Sequence, residues 1–134
     1  MSANKMHSLS MKGTIYLETI MNGEKEYEGR INTEKCQNMK VGEHLKLFDK
    51  EALFGIICEI TSLDVFESFD QMLQKIGVLK LLAQLKEKNH SLNELLKEGV
   101  KIYQNFPGSK RVSAFGCVAI GVKFLKKINT SQAD

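Results

Sequence analysis

The segment FGCVAIGVKFL, residues 115–125, restricts the possible folds more than any other stretch of the chain. At the strand period of two, Val118, Ile120, Val122 and Phe124 occupy one face, with Cys117, Ala119 and Gly121 on the other. A strand that is bulky on one side and small on the other predicts close approach of a second backbone, or of a ligand, to its small face. A β-branched run, LFGIICEITSL at residues 53–63, reads as a second buried strand. Just before it, HLKLFD alternates Leu45 and Leu47 with Lys46 as a half-buried strand does, and the two form a hairpin across Asp49 to Ala52.

The middle of the chain is helical. Ser68 with Gln71, and Ser91 with Glu94, match the capping box, in which a serine hydroxyl and a side chain three residues later satisfy exposed backbone N–H groups. The second box opens a helix with Leu92, Leu95, Leu96, Val100 and Tyr103 on one broad face, and NFPGSKR at 105–111 stops it. Nearer the N-terminus, Tyr16, Leu17, Ile20 and Met21 form an apolar stripe within a helix spanning Lys12 to Asn22, with Gly23 at its C-terminus. EKEYEGRI follows as a strand. Its alternation puts Glu26, Glu28 and Arg30 on one side and Lys25, Tyr27 and Ile31 on the other, unless Gly29 makes a bulge. Residues 1–8, with little periodicity, read as a loose end leading into a short strand, and the polar tail from 126 to 134 reads as frayed. Strands and helices do not alternate regularly, which disfavours a doubly wound parallel sheet. The expected fold is α+β: a small, mostly antiparallel β-barrel with helices inserted between its strands.

At 134 residues the chain fits a single domain with an ordinary core, and 43% apolar with 26% charged residues is a globular composition. The formal charge of +3 tolerates a phosphate-bearing partner but falls short of a dedicated nucleic-acid arm. Cys36, Cys58 and Cys117 form no C-x-x-C pair, so neither a zinc cage nor a disulfide framework is indicated, and a reducing compartment is expected. Cys58, in an apolar strand, reads as an inert core thiol. The longest apolar run carries Lys123 and is shorter than the roughly 20 residues of a membrane span. With no signal-peptide pattern either, a soluble cytoplasmic protein without a membrane partner is expected. His7, His44 and His90 lack metal-ligand spacing, so no metal is expected. Phosphate-loop, dinucleotide and nucleophile-elbow motifs are missing, so no cofactor is expected and the common hydrolase families are disfavoured.

What remains is G-x-K-x-x-E-x-R: Gly23, Lys25, Glu28 and Arg30. A lysine and an arginine flanking one glutamate can hold the carboxylate ionised and oriented, leaving cationic donors for a phosphate or a base edge. In a cleft with little water, the lysine's pKa can fall toward a useful range. The plain alternative is a solvated ion pair on a strand surface, worth about 0–1 kcal/mol. Two further candidates are Tyr103, either stacking on a base or a core residue with a wet tip, and Lys110 with Arg111, which can reach a phosphate from the turn.

This motif, together with VGEHLKLF at 41–48, SFDQML in the helical middle and the closing FGCVAI strand, resembles the ASCH family over about His7 to Leu125. The resemblance implies a barrel similar to the PUA RNA-binding domain, with Gly23, Lys25, Glu28 and Arg30 lining a cleft that binds RNA, a nucleotide or a nucleoside-like ligand. One branch of the family hydrolyses acetylated cytidine and resembles this chain at Gly23, Lys25 and Arg30, but carries threonine where Glu28 stands. Its catalytic glutamate has no secure counterpart near Lys86 to Asn89. A carboxylate beside Lys25 favours the ammonium form, which suits a binder better than a nucleophile or base. The first expectation is therefore an RNA- or nucleotide-binding module. An enzyme using the same cleft, with Lys25 as its catalytic residue, is the alternative: an amidohydrolase on a modified nucleoside, or a ribonuclease. A protein-interaction adaptor in transcription is the third.

Overall fold

Alternating side chains become alternating burial: in β3 (His44–Asp49), Leu45, Leu47 and Asp49 are buried while His44, Lys46 and Phe48 are half-buried. The computed structural model describes residues 5–129. β3 lies in a five-stranded mixed sheet with β1 (Met6–Ser10), β2 (Tyr27–Ile31), β4 (Phe54–Phe66) and β5 (Cys117–Asn129), in the order β1-β3-β4-β5-β2. β3–β4, β4–β5 and β2–β5 are antiparallel, whereas β1 joins β3 in parallel. The fold is thus α+β. The expected barrel and mostly antiparallel pairing are met only in part, because β1 and β2 are the two edges of a sheet that does not close.

The helices are α1 (Thr14–Met21), α2 (Glu34–Gln37), α3 (Phe69–Ile76), α4 (Val78–Leu81), α5 (Leu92–Gln104) and α6 (Val112–Phe115), with 3-10 turns at Ala83–Glu87 and Ser109–Arg111. None of the described helices is long and apolar enough to cross a membrane. Both serine caps form. At α5 the box is complete, Glu94 N–H donating to Ser91 Oγ at 3.2 Å and Ser91 N–H to Glu94 Oε1 at 2.9 Å. At α3, Gln71 N–H donates to Ser68 Oγ, while the Gln71 carbonyl accepts from Glu67 N–H instead of the cap residue. Leu92 is the misfit on the expected apolar face: it opens the first turn of α5 and is 85% exposed, whereas Leu95 and Tyr103 are buried.

Two apolar clusters form. One joins Leu17 and Ile20 of α1 to Leu45, Leu47, Ile56 and Ile60 of the sheet. The other packs α3, α4 and α5 through Met72, Leu73, Leu81 and Leu95. β5 serves both: Val118 and Ile120 enter the first cluster, Cys117 and Ala119 the second. Its small face is therefore small because the helical layer packs there. At Gly121 the neighbour is β4 itself, where a register shift between Ile60 and Ser62 brings the Thr61 and Ser62 hydroxyls into the space a Cβ would take.

Both expected loose ends are shorter than the sequence predicts. β1 begins at Met6, and His7 is buried with Nε2 2.7 Å from Glu43 Oε1. The short strand expected after this segment thus begins inside it, because pairing with β3 recruits Met6 to Ser8 despite their weak pattern. β5 runs on through Lys126 and Lys127 to Asn129, opposite Phe54 to Ile57, with Ile128 buried. Here ladder pairing overrides polar composition. Residues 1–4 and 130–134 of those segments lie outside the described residues.

Candidate functional site

Gly23 ends α1 with φ +85°, its N–H donating to Ile20 O. A backbone turned that way favours glycine. Gly23 does not itself face the cavity described below. The next residues are still outside the strand: Lys25 N–H bonds Thr19 O and Glu26 N–H bonds Lys80 O, and β2 begins only at Tyr27. Lys25 is consequently free of the strand alternation that would separate it from Glu28, and the two side chains meet. This corrects the expected facing and leaves Gly29 without a bulge, since β2 pairs with β5 in unbroken register from Tyr27 to Ile31.

Lys25 is 2% exposed. Its Nζ donates to Tyr27 O at 2.6 Å and to Leu81 O, lies 3.3 Å from Glu28 Oε1, and sits 5.6 Å from the centre of the Tyr16 ring, within cation–π range. Glu28 is 6% exposed, and its other oxygen accepts from Arg30 Nε at 2.6 Å. Arg30 Nη2 in turn donates to Ser10 O at 2.5 Å and meets Met11 Sδ at 2.9 Å, so one guanidinium bridges the two open edges of the sheet. Between those edges lies a cavity of about 530 Å³, within the range of small-ligand sites. Lys25, Glu28 and Arg30 line it together with Tyr16, Tyr103 and Phe106.

Burial opposes the charge on both Lys25 and Glu28, with different outcomes. For Lys25, desolvation outweighs the attraction of Glu28 and lowers its pKa. For Glu28, desolvation would raise the carboxyl, but Arg30 and Lys25 together outweigh it and hold it below the ordinary range. The carboxylate is therefore ionised at neutral pH.

Tyr103 comes from the last turn of α5 and is 3% exposed, stacked on Phe69 with ring centres 5.4 Å apart and met edge-on by Phe106 at 5.5 Å. Burial, then the Glu28 charge, raises its hydroxyl well above the ordinary pKa. It is a buried wall of the cavity, with Phe69 occupying one ring face. Lys110 is exposed and does not line the cavity; its neighbour Arg111 does. Cys58 is buried with its thiol pushed up to about 12 by desolvation and the nearby Glu28 charge, in keeping with an inert thiol. Among the described residues, no group of three His, Cys, Asp or Glu side chains could hold a metal ion.

Sequence reasoning misses Tyr16, Lys12 and Asp49. The stripe containing Tyr16 reads as core, and Lys12 and Asp49 reach the cavity only through tertiary closure. Asp49 accepts from Gly13, Glu51 and Ala52 N–H groups, pinning the start of α1 and the β3–β4 turn together beside the cavity. Those bonds lower its pKa, the one from Ala52 most of all.

At Gly29 the wall is tightly packed: a Cβ there would fall 2.6 Å from Tyr103 Oη and 2.9 Å from Met72 Cε. Tyr103 is held by Phe69 and Phe106 and has little room to yield. Gly29→Ala is expected to cost about 1–3 kcal/mol by overpacking, read as a lower urea midpoint at unchanged m-value.

The family model for the ASCH domain matches residues 10–126. Among solved structures, the crystal structure of the hypothetical protein PH0355 superposes with a TM-score of 0.72 at 26% identity, covering 90% of this chain and 100% of that one. The solution structure of protein PF0455 from Pyrococcus furiosus gives 0.65 at 24% identity, covering 91% and 99%. A mutant of the ZmASCH protein from Zymomonas mobilis shares the fold with a TM-score of 0.58 at 12% identity, covering 96% and 77%. No curated protein matches this chain.

Proposed function

The chain belongs to the ASCH domain family, and from that premise we propose that it is an RNA- or nucleotide-binding module whose ligand enters the cavity between β1 and β2. The observation that carries this reading is the pairing of an aromatic wall with a buried, ionised polar cluster at one opening of the sheet. Tyr16, Tyr103 and Phe106 offer apolar ring edges to a planar base. Glu28 is an acceptor oriented by two cations, suited to an amino or imino donor on a base edge. Arg30, the more exposed cation, is left to meet the ligand's polar side.

The test is titration of 15N-labelled protein with mononucleotides and with a short oligoribonucleotide. Amide shifts concentrated at Gly29, Arg30 and Tyr103 are expected; shifts confined to other surfaces would remove the cavity from the assignment. Oligonucleotide affinity is also expected to fall with added salt, with a log–log slope of about −0.7 per phosphate contacted. Affinity indifferent to salt would point to a partner other than nucleic acid.

One observation favours an enzyme in the same cavity: burial lowers the Lys25 pKa. Against it, the Lys25 amine is already engaged by two backbone carbonyls and Glu28, which leaves no lone pair directed at a substrate. Incubation of the wild-type protein with acetylcytidine and with labelled RNA separates the two readings, since product would move the assignment to catalysis.

A further inference from the structure

The cavity has two electrostatic layers. Its inner wall carries Lys25, Glu28 and Gly29, all buried, and the charges there are mutually paired. Its lining also includes Lys12, Lys50 and Arg111, all exposed, and among the described residues none of these three takes part in an ion pair. They come from three separate parts of the chain: the segment after β1, the β3–β4 turn and the turn after α5. Of the carboxylates beside them among the described residues, Asp49 is ionised but turned onto three backbone N–H groups, and Glu51 is exposed, so the three cations outnumber the two anions at the mouth. Asp49 moreover fixes the positions of two of these cations, since its bonds tie Gly13, next to Lys12, to Glu51, next to Lys50. Arg111 is anchored by Nε donating to Gly108 O at 3.1 Å, which leaves its terminal nitrogens as donors.

Resting on the nucleotide reading above, we infer that Lys12, Lys50 and Arg111 form a phosphoryl subsite at the cavity mouth, so that the preferred ligand is a phosphorylated nucleoside with its base inward and its phosphate outward. Three unpaired cations facing one opening attract a multiply charged anion, and a guanidinium supplies paired donors that match phosphate oxygens. The buried inner layer offers no such site, because its cation, Lys25, is already committed to Glu28 and two backbone carbonyls.

The experiment compares a nucleoside, its 5′-monophosphate and a dinucleotide by calorimetry, on the wild-type protein and on Lys12→Ala, Arg111→Ala and the control Lys110→Ala. All three substituted side chains are exposed, and equal thermal midpoints check that folding is intact. The 5′-monophosphate is expected to bind at least tenfold tighter than the nucleoside. Each of Lys12→Ala and Arg111→Ala is expected to weaken it about tenfold, the equivalent of one charge-assisted hydrogen bond, without changing nucleoside affinity. Lys110→Ala leaves all affinities unchanged. A dinucleotide that matches the monophosphate, with the same two losses, assigns the subsite to an internal phosphate of RNA; weaker dinucleotide binding assigns it to a terminal one. Equal affinity for nucleoside and monophosphate overturns the subsite and leaves the nucleotide cavity standing, as does a preference that survives both substitutions. No binding of any of the three overturns both.

Discussion

Lys25→Met unfolds at a midpoint about 10–20 °C below the wild type, the equivalent of about 3–5 kcal/mol in a domain of this size. Methionine fills most of the volume, so the loss is polar. Glu28 keeps Arg30 but loses a counter-ion at 3.3 Å, while the carbonyls of Tyr27 and Leu81 lose their Lys25 donor. The pH dependence separately reports the burial of the amine. Because the folded pKa of Lys25 is lowered, the unfolded chain holds more protons in the window between that value and about 10.4, and wild-type stability rises with pH across it. The rise disappears in Lys25→Met. Urea midpoints measured from neutral to alkaline pH check this, and a variant as stable as the wild type would mean that the buried contacts are energetically idle.

Glu28→Gln is the second large effect, again about 3–5 kcal/mol, because two cations then share a site with no anion between them. Stability again rises with pH, but in an acid window. A depressed carboxyl pKa contributes stability that is full above the unfolded value of about 4.3 and is lost as pH falls through the folded value. Wild-type acid unfolding therefore carries a contribution that the variant lacks, and the two stability curves converge at low pH. The double variant Lys25→Met/Glu28→Gln is expected to lose clearly less than the sum of the single changes, since the second substitution removes a charge already left without one partner. Strict additivity would rule out direct coupling.

Much of the framework was legible because it is local. The strands at His44 and Phe54, the stripe of α1 and both serine hydroxyl caps follow from periods and hydrogen-bond chemistry within a few residues. The polar cluster was legible as a motif but not as a geometry. Strand alternation applied from Lys25 onward puts lysine and glutamate on opposite faces, and only the long-range bonds to Thr19 and Lys80 show that the strand has not yet begun. The parallel partner of β1 and the continuation of β5 past Lys126 were hidden for the same reason: pairing, not composition, makes those residues strands. Lys110 and Arg111 were indistinguishable in sequence, and the turn that follows Gly108 aims only the second at the cavity.

The long antiparallel pair of β4 and β5 has a mechanical meaning. Each strand is thirteen residues long, and β5 supplies buried side chains to both apolar clusters. Neither half can melt while the other stays intact, because each would have to release the same beam. Heating should accordingly give one calorimetric transition, and pulling those two strands apart should collapse the whole protein in a single step.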